Sequence, residues 1–162
     1  KLTRNLVIKK NGNYYLLIML RVLRRRVRHA SSLLWRGEVV PFKRCRFQAC
    51  VVAIDGECDV ADAVAAVTSI KKVSKATHPA MHAWQLHASG GASGSSDDGE
   101  SGAGRVLLAQ LQHSGSLALP GSGLLIAVTR WYGGRALGGA RFRVIRRVAR
   151  DALRDAAAST PG

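Results

Sequence analysis

Three clusters in the 162-residue chain hold residue types that could do chemistry. The first is Asp97-Asp98-Gly99-Glu100, three carboxylates within four residues. That density suits a cation or an arginine partner, but the calcium-loop pattern D-x-[DN]-x-[DN]-G is not met. A solvated or ion-paired acidic turn is the plainer reading, ahead of a weak magnesium site. The second cluster is His78 and His82 in THPAMH. They stand four apart, yet Pro79 forbids the helix that would aim both at one metal, and H-E-x-x-H is absent. His78 is instead expected to order the start of a strand. The third is Arg130-Trp131-Tyr132-Gly133-Gly134 with the loop GGRALGG, Gly133–Gly139. Free backbone N–H groups before a helix could hold an anion there. The loop fits neither G-x-x-x-x-G-K-[ST] nor G-x-G-x-x-G, which leaves a tight turn at positive φ as the plainer reading. Arg130 could pair with a carboxylate of the acidic loop or bind phosphate. No serine or cysteine sits in a nucleophile-elbow context. The sequence supports no catalytic set, no metal site and no cofactor.

The elements that must position these groups follow from hydrophobic period and punctuation. A strand is expected at Gly37–Val40 before Pro41, then the basic turn FKRCR and a second strand, Arg46–Ile54. Asp59 is a candidate cap for a helix from Val60 to about Val73, with Val60, Ala63, Val64, Val67 and Ile70 on its apolar face. Ala80–Ala88 alternates, which predicts a strand with Trp84 and Leu86 in the core. A long Gly/Ser/Asp loop is expected over Ser89–Gly104. A short helix over Arg105–His113 and a turn at Pro120-Gly121 lead to a buried strand, Leu124–Tyr132. The last helix should run from Ala140 to about Ala157. Phe142, Ile145, Val148, Ala149, Ala152, Leu153 and Ala156 form its apolar face. Arg143, Arg146, Arg147, Arg150 and Arg154 gather opposite, while Arg141 projects from the apolar side toward the strand end. The expected fold is α+β, a four-stranded sheet with helices mainly on one face. The five outward arginines are the best binding surface, suited to RNA or an acidic protein.

Charge divides the chain. The formal net charge is +15, yet residues 1–37 hold 10 Lys/Arg and no acid, leaving only +5 for residues 38–162. Residues 1–34 therefore read as a basic extension, disordered or targeting, ahead of a domain at 35–158 and a tail at 159–162. Met19 opens an Arg-rich, acid-free stretch with the composition of a mitochondrial presequence. The longest apolar run, Tyr14–Leu20, falls well short of the ~20 residues that span a membrane. Cys45, Cys50 and Cys58 are odd in number and lack C-x-x-C, which fits reduced thiols, one or two of them packed in the core.

The blocks WRGEVV, FQACVVAI, KATHPAMHAWQL, DDGESGAGRVLLAQL and LLIAVTRWYGGRALGGARFRVIRRVARDAL, in this order from Trp35 to Asp155, resemble the Impact family and its bacterial YigZ-type relatives. The Arg141-Phe142 pair is similar to the eukaryotic branch. The resemblance implies a fold like the second domain of ribosomal protein S5. It also implies a cytoplasmic, non-enzymatic regulator of translation, which competes for the general-control activator of the initiation-factor-two kinase or acts at the ribosome. No small-molecule substrate or membrane partner is implied; the alternative location is mitochondrial, if Met19 begins a presequence. The family's characteristic residues map onto His78, Asp97, Asp98, Gly99, Glu100, Arg130, Trp131, Tyr132, Gly133, Gly134, Leu137 and Gly138. Residues 1–34 are too short and basic to resemble the RWD domain that eukaryotic members carry upstream. The alternative function is an RNA-binding module that uses the basic last helix, with Arg141, Arg143, Arg146, Arg147, Arg150 and Arg154, and stacks bases on Trp131 and Tyr132.

Overall fold

The apolar run Leu124–Val128 becomes the centre of an antiparallel sheet. The computed structural model describes residues 35–87, 91–114 and 122–159. The basic extension 1–34, the turn at Pro120-Gly121 and residues 160–162 of the tail lie outside the described residues. The strands are β1 (Trp35–Arg36), β2 (Val40–Phe42), β3 (Cys45–Ile54), β4 (His78–Leu86), β5 (Ser93–Ser96) and β6 (Gly123–Trp131). The helices are α1 (Val60–Thr68), α2 (Ala103–His113) and α3 (Ala140–Ser159). The sheet order is β1-β3-β6-β4-β5, with β2 also on β3.

The α+β class is as expected, but the sheet has six strands among the described residues rather than four. The expected strand at Gly37–Val40 is replaced by two short ones on the same edge of β3, β1 and β2. Pro41 lies inside β2, which an edge strand tolerates because it needs no outward N–H. The extra strand on the far side, β5, comes from the Ser/Gly loop, where SGSS pairs with β4. Local composition hid it: serine and glycine are poor strand formers, and only the neighbouring β4 edge makes the pairing worthwhile. Gly94 is required there, because a Cβ would come within 2.7 Å of the Trp84 indole nitrogen.

Strand alternation sends side chains into two cores. Phe47, Ala49, Val51, Met81, Ala83, Leu124, Ile126 and Val128 meet α2 and α3 on one face. Cys50, Val52, Ile54, Trp84, Leu125 and Ala127 meet α1 on the other. Trp84 is therefore buried as expected, but Met81 and Ala83 on the opposite side of the same strand are buried too. Two of the three α-helices among the described residues share a face, as the sequence suggested.

Two helix readings change. Asp59 does not cap α1; its carboxylate accepts the N–H groups of Asp55 at 3.0 Å and Gly56 at 3.1 Å, closing the turn before the helix. The helix stops at Thr68, whose hydroxyl donates to the Val64 carbonyl at 3.0 Å. The chain then continues in turns that still bury Val73. The last helix keeps its expected register: Ile145, Val148, Ala149, Ala152, Leu153 and Ala156 are buried, and Val144 joins them.

The β2–β3 hairpin is a two-residue turn, Phe42 pairing with Cys45. Its central residues, Lys43 and Arg44, both take positive φ, 43° and 69°. The strand twist demands this geometry, which normally selects Asn-Gly. A side chain there costs roughly 1–2 kcal/mol per residue.

Candidate functional site

The acidic loop folds back on the end of β6 and on both helix starts. Asp97 follows β5 directly, and its carboxylate accepts the N–H of Gly102 at 2.9 Å and of Gly104 at 2.7 Å. It thus caps α2 from outside the helix, where the helix dipole also favours a negative charge. These two hydrogen bonds hold its carboxyl below the ordinary value of 3.8. Asp98 and Gly99 both adopt positive φ, which turns the chain sharply. The Asp98 carboxylate accepts the Ala80 N–H at 2.7 Å, tying the loop to β4.

Glu100 is 7% exposed, and both of its oxygens are engaged. One accepts from Arg130 Nη1; the other lies 2.7 Å from Arg141 Nε. His78 completes the group. Its Nδ1 stands 2.8 Å from the Asp98 carbonyl, so it must be the protonated nitrogen that donates there. Nε2 then stands 3.5 Å from Glu100. His78 opens β4 opposite Arg130, just before a bulge that accommodates Pro79. The expectations that His78 orders a strand start, that Arg130 pairs with the acidic loop and that Arg141 faces the strand end are all met in one cluster.

Arg130 is 5% exposed. Its guanidinium lies 5.7 Å from the Phe47 ring centre and 5.3 Å from that of Tyr132, and Nη2 is 3.7 Å from Cys45 Sγ. Burial works against its charge, but the hydrogen bonds to Cys45 and Glu100 outweigh burial and raise its pKa further. Arg141 also donates to the Gly138 carbonyl at 2.6 Å, and its guanidinium covers the Phe142 ring at 4.1 Å. One carboxylate thus sits among two guanidiniums. The arrangement welds β4, β6, α2 and α3 together. Both oxygens of Glu100 are thus taken up by guanidiniums, and among the described residues no group of three or more His, Cys, Asp or Glu could hold a metal ion.

The glycine loop divides. Gly133 passes so close to the Arg44 carbonyl that a Cβ would overlap it. Gly134 and Gly138 need positive φ, 80° and 53°, but border open space. Leu137 packs on the α2/α3 core. Trp131 and Tyr132 part company. The Trp131 indole N–H donates to the Lys72 carbonyl at 3.0 Å on the α1 side, while Tyr132 is 46% exposed. The residues that sequence reasoning missed are Cys45, Phe47 and Arg44. Phe47 was open to discovery, because it pairs with Arg130 across β3 and β6 once that register is drawn.

Residues 43–153 match the Impact N-terminal domain. This chain belongs to the Impact family. It is 33% identical over 122 residues to a protein IMPACT homolog of Dictyostelium discoideum and 33% identical over 124 residues to protein IMPACT of Danio rerio. Those alignments cover 74% and 75% of this chain but only 34% and 37% of the relatives, so the chain spans about a third of their length. An IMPACT family member of Saccharomyces cerevisiae is 28% identical over 155 residues, covering 73% of this chain and 88% of that protein. Among solved structures, a hypothetical protein superposes with a TM-score of 0.58 at 29% identity, covering 75% of this chain and 60% of that one. The two-domain translational regulator Yih1 superposes with a TM-score of 0.51 at 24% identity, covering 76% and 47%. The junction around Glu100 lies within the matched range and is built from the motifs that carried the resemblance.

The arginine face of this Impact domain is exposed as expected. Arg143, Arg146, Arg147, Arg150 and Arg154 all point to solvent. Asp151 is shared by Arg147 at 3.7 Å, Arg150 at 3.6 Å and Arg154 at 3.8 Å, and Asp155 meets Arg154 at 3.0 Å. Arg143 and Arg146 have no ion pair among the described residues. Arg146 borders a cleft of about 550 Å³ between α2 and α3, whose other walls are Arg105, Val106, Ala109, Gln110 and His113.

Proposed function

We propose that this Impact domain is a non-catalytic binding module of translation control. It takes an acidic protein surface, at the general-control activator or on the ribosome, into the α2/α3 cleft and along the arginine face. The observation that carries this reading is the cleft itself. Its walls supply two guanidiniums, an imidazole and a small apolar floor, with no carboxylate among them. Such a lining selects an acidic segment that also brings a short apolar side chain. The non-catalytic part of the reading is supported by the acidic motif, whose carboxylates are engaged with backbone N–H groups and guanidiniums. The description of Yih1 as a translational regulator supplies the biological setting.

A pull-down from cell extract with the full chain tests it. The wild type is expected to recover ribosomes or the general-control activator, and the double variant Arg146→Glu, Arg147→Glu to lose them. Recovery of neither by the wild type, or equal recovery by both, would remove the basis for the reading.

A further inference from the structure

We propose that the β2–β3 hairpin tip and the end of β6 form a second, separate site that binds single-stranded RNA. This site lies apart from the α2/α3 cleft and does not depend on the reading above. Lys43 and Arg44 occupy a turn whose positive φ values favour asparagine and glycine. The backbone therefore disfavours two long cationic side chains at this tip; Lys43 lies 5.6 Å from the Phe42 ring centre, and Arg44 makes no ion pair or ring contact among the described residues. The tip is also held in place. Gly133 has no Cβ because the Arg44 backbone fills that position, which sets the hairpin against the residue following Tyr132.

Beside the tip stands an aromatic ring with solvent access. Tyr132 and Val39 are the exposed large hydrophobic residues among those described, and Tyr132 is 46% exposed. Its position is fixed: the Arg130 guanidinium lies 5.3 Å from the ring centre, and its N–H donates to Thr77 Oγ1 at 3.2 Å. A pre-positioned ring loses little freedom when a base stacks on it. Further along the same strand ends, the exposed Arg46 lies 5.5 Å from the Trp131 ring centre, and Trp131 is tied to the Lys72 carbonyl, beside Lys71. Lys43, Arg44, Arg46, Lys71 and Lys72 are exposed, and none is in an ion pair among the described residues. Glu100, the nearest carboxylate to Arg130, is already spent. The hairpin tip lies beside Tyr132, while Arg46, Lys71 and Lys72 gather on the Trp131 side of the sheet, so a strand with a base stacked on Tyr132 can run its phosphates past both groups of cations. A duplex keeps its bases stacked inside and cannot use Tyr132 in this way.

The test is fluorescence anisotropy of labelled RNA with the full chain, so that the basic extension contributes equally throughout. The probes are a single-stranded oligonucleotide, a duplex of the same length and a polyglutamate competitor. The informative variant is Lys43→Asn, Arg44→Gly, which relieves the turn. It is expected to raise the melting temperature yet weaken binding of the single strand severalfold, with a salt dependence shallower by about one to two charges. Tyr132→Ala is expected to weaken the single strand about tenfold and the duplex hardly at all, while Tyr132→Phe retains wild-type affinity. Arg146→Glu, Arg147→Glu should leave the Tyr132-dependent difference intact, which separates this proposal from the cleft reading. Single-strand affinity unchanged by both the hairpin and Tyr132→Ala variants overturns the proposal. So does Tyr132-dependent binding of polyglutamate, which would make the patch an acidic-protein surface. Photocrosslinking of wild-type protein to 5-bromouridine RNA gives an independent readout. Adducts at Tyr132 or the hairpin are expected, and adducts confined to other segments count against the site.

Discussion

Glu100 does at the residue scale what its motif alone could not reveal. Three carboxylates in a glycine-rich loop look available for a cation, but each is committed to a different neighbour. Asp97 caps α2, Asp98 anchors β4, and Glu100 offsets two guanidiniums. A buried charge with its partners removed is far costlier than a surface one. Glu100→Gln should therefore destabilise the protein by about 3–5 kcal/mol, because it leaves Arg130 and Arg141 facing each other without a counter-charge. Urea unfolding measures this; a loss below about 1 kcal/mol, the scale of an exposed pair, would show that the junction is solvated. In the core on the other face of the sheet, burial pushes the Cys50 thiol up to about 11 despite the opposing charge of Arg36.

Elements form here where local preference and neighbours agree, and shift where they do not. The start of α2 is the clearest case. Gly102, at φ 87°, stands at the N-cap with no side chain, so the cap comes from Asp97, five residues upstream. Its contribution depends on pH. The folded carboxyl titrates below 3.8, so its stabilisation is fully present above about pH 4 and fades as pH falls through the folded value. Asp97→Asn should cost about 1 kcal/mol near neutrality, and the gap from wild type should close in acid. Denaturation midpoints across that range check it, and a gap that does not change with pH would contradict the capping role. The hairpin runs the other way: its residues oppose the turn, and the sheet twist prevails.

At the scale of the whole molecule, one sheet carries two cores, and β3, β6 and β4 contribute to both. Damage to either face should therefore be felt through the same strands. Leu107→Ala on the buried face of α2 and Val67→Ala on that of α1 should each lower a single cooperative transition, Leu107→Ala by about 2–5 kcal/mol. Far- and near-ultraviolet circular dichroism would report it, and two separated transitions in either variant would refute the shared-strand picture. Much of this was legible in the residues. The apolar run Leu124–Val128, the alternation in β4 and the 3.6-residue period of α3 marked the buried faces, because side-chain period is a local property of strand and helix. So were the arginine face and the family motifs. Hidden from local reading were β5, the split first strand and the fate of the acidic loop. Each depends on a partner distant in the chain: SGSS becomes a strand only against β4, and Glu100 becomes a structural counter-ion only once β6 and α3 bring Arg130 and Arg141 to it. The sequence by itself determined which faces are apolar and which residues carry charge. Only the tertiary structure decided which charges cancel in the interior, at Glu100, and which stay unpaired at the surface, at Arg143, Arg146 and the hairpin tip. Cancellation depends on distance and burial, and neither is written in the order of the residues.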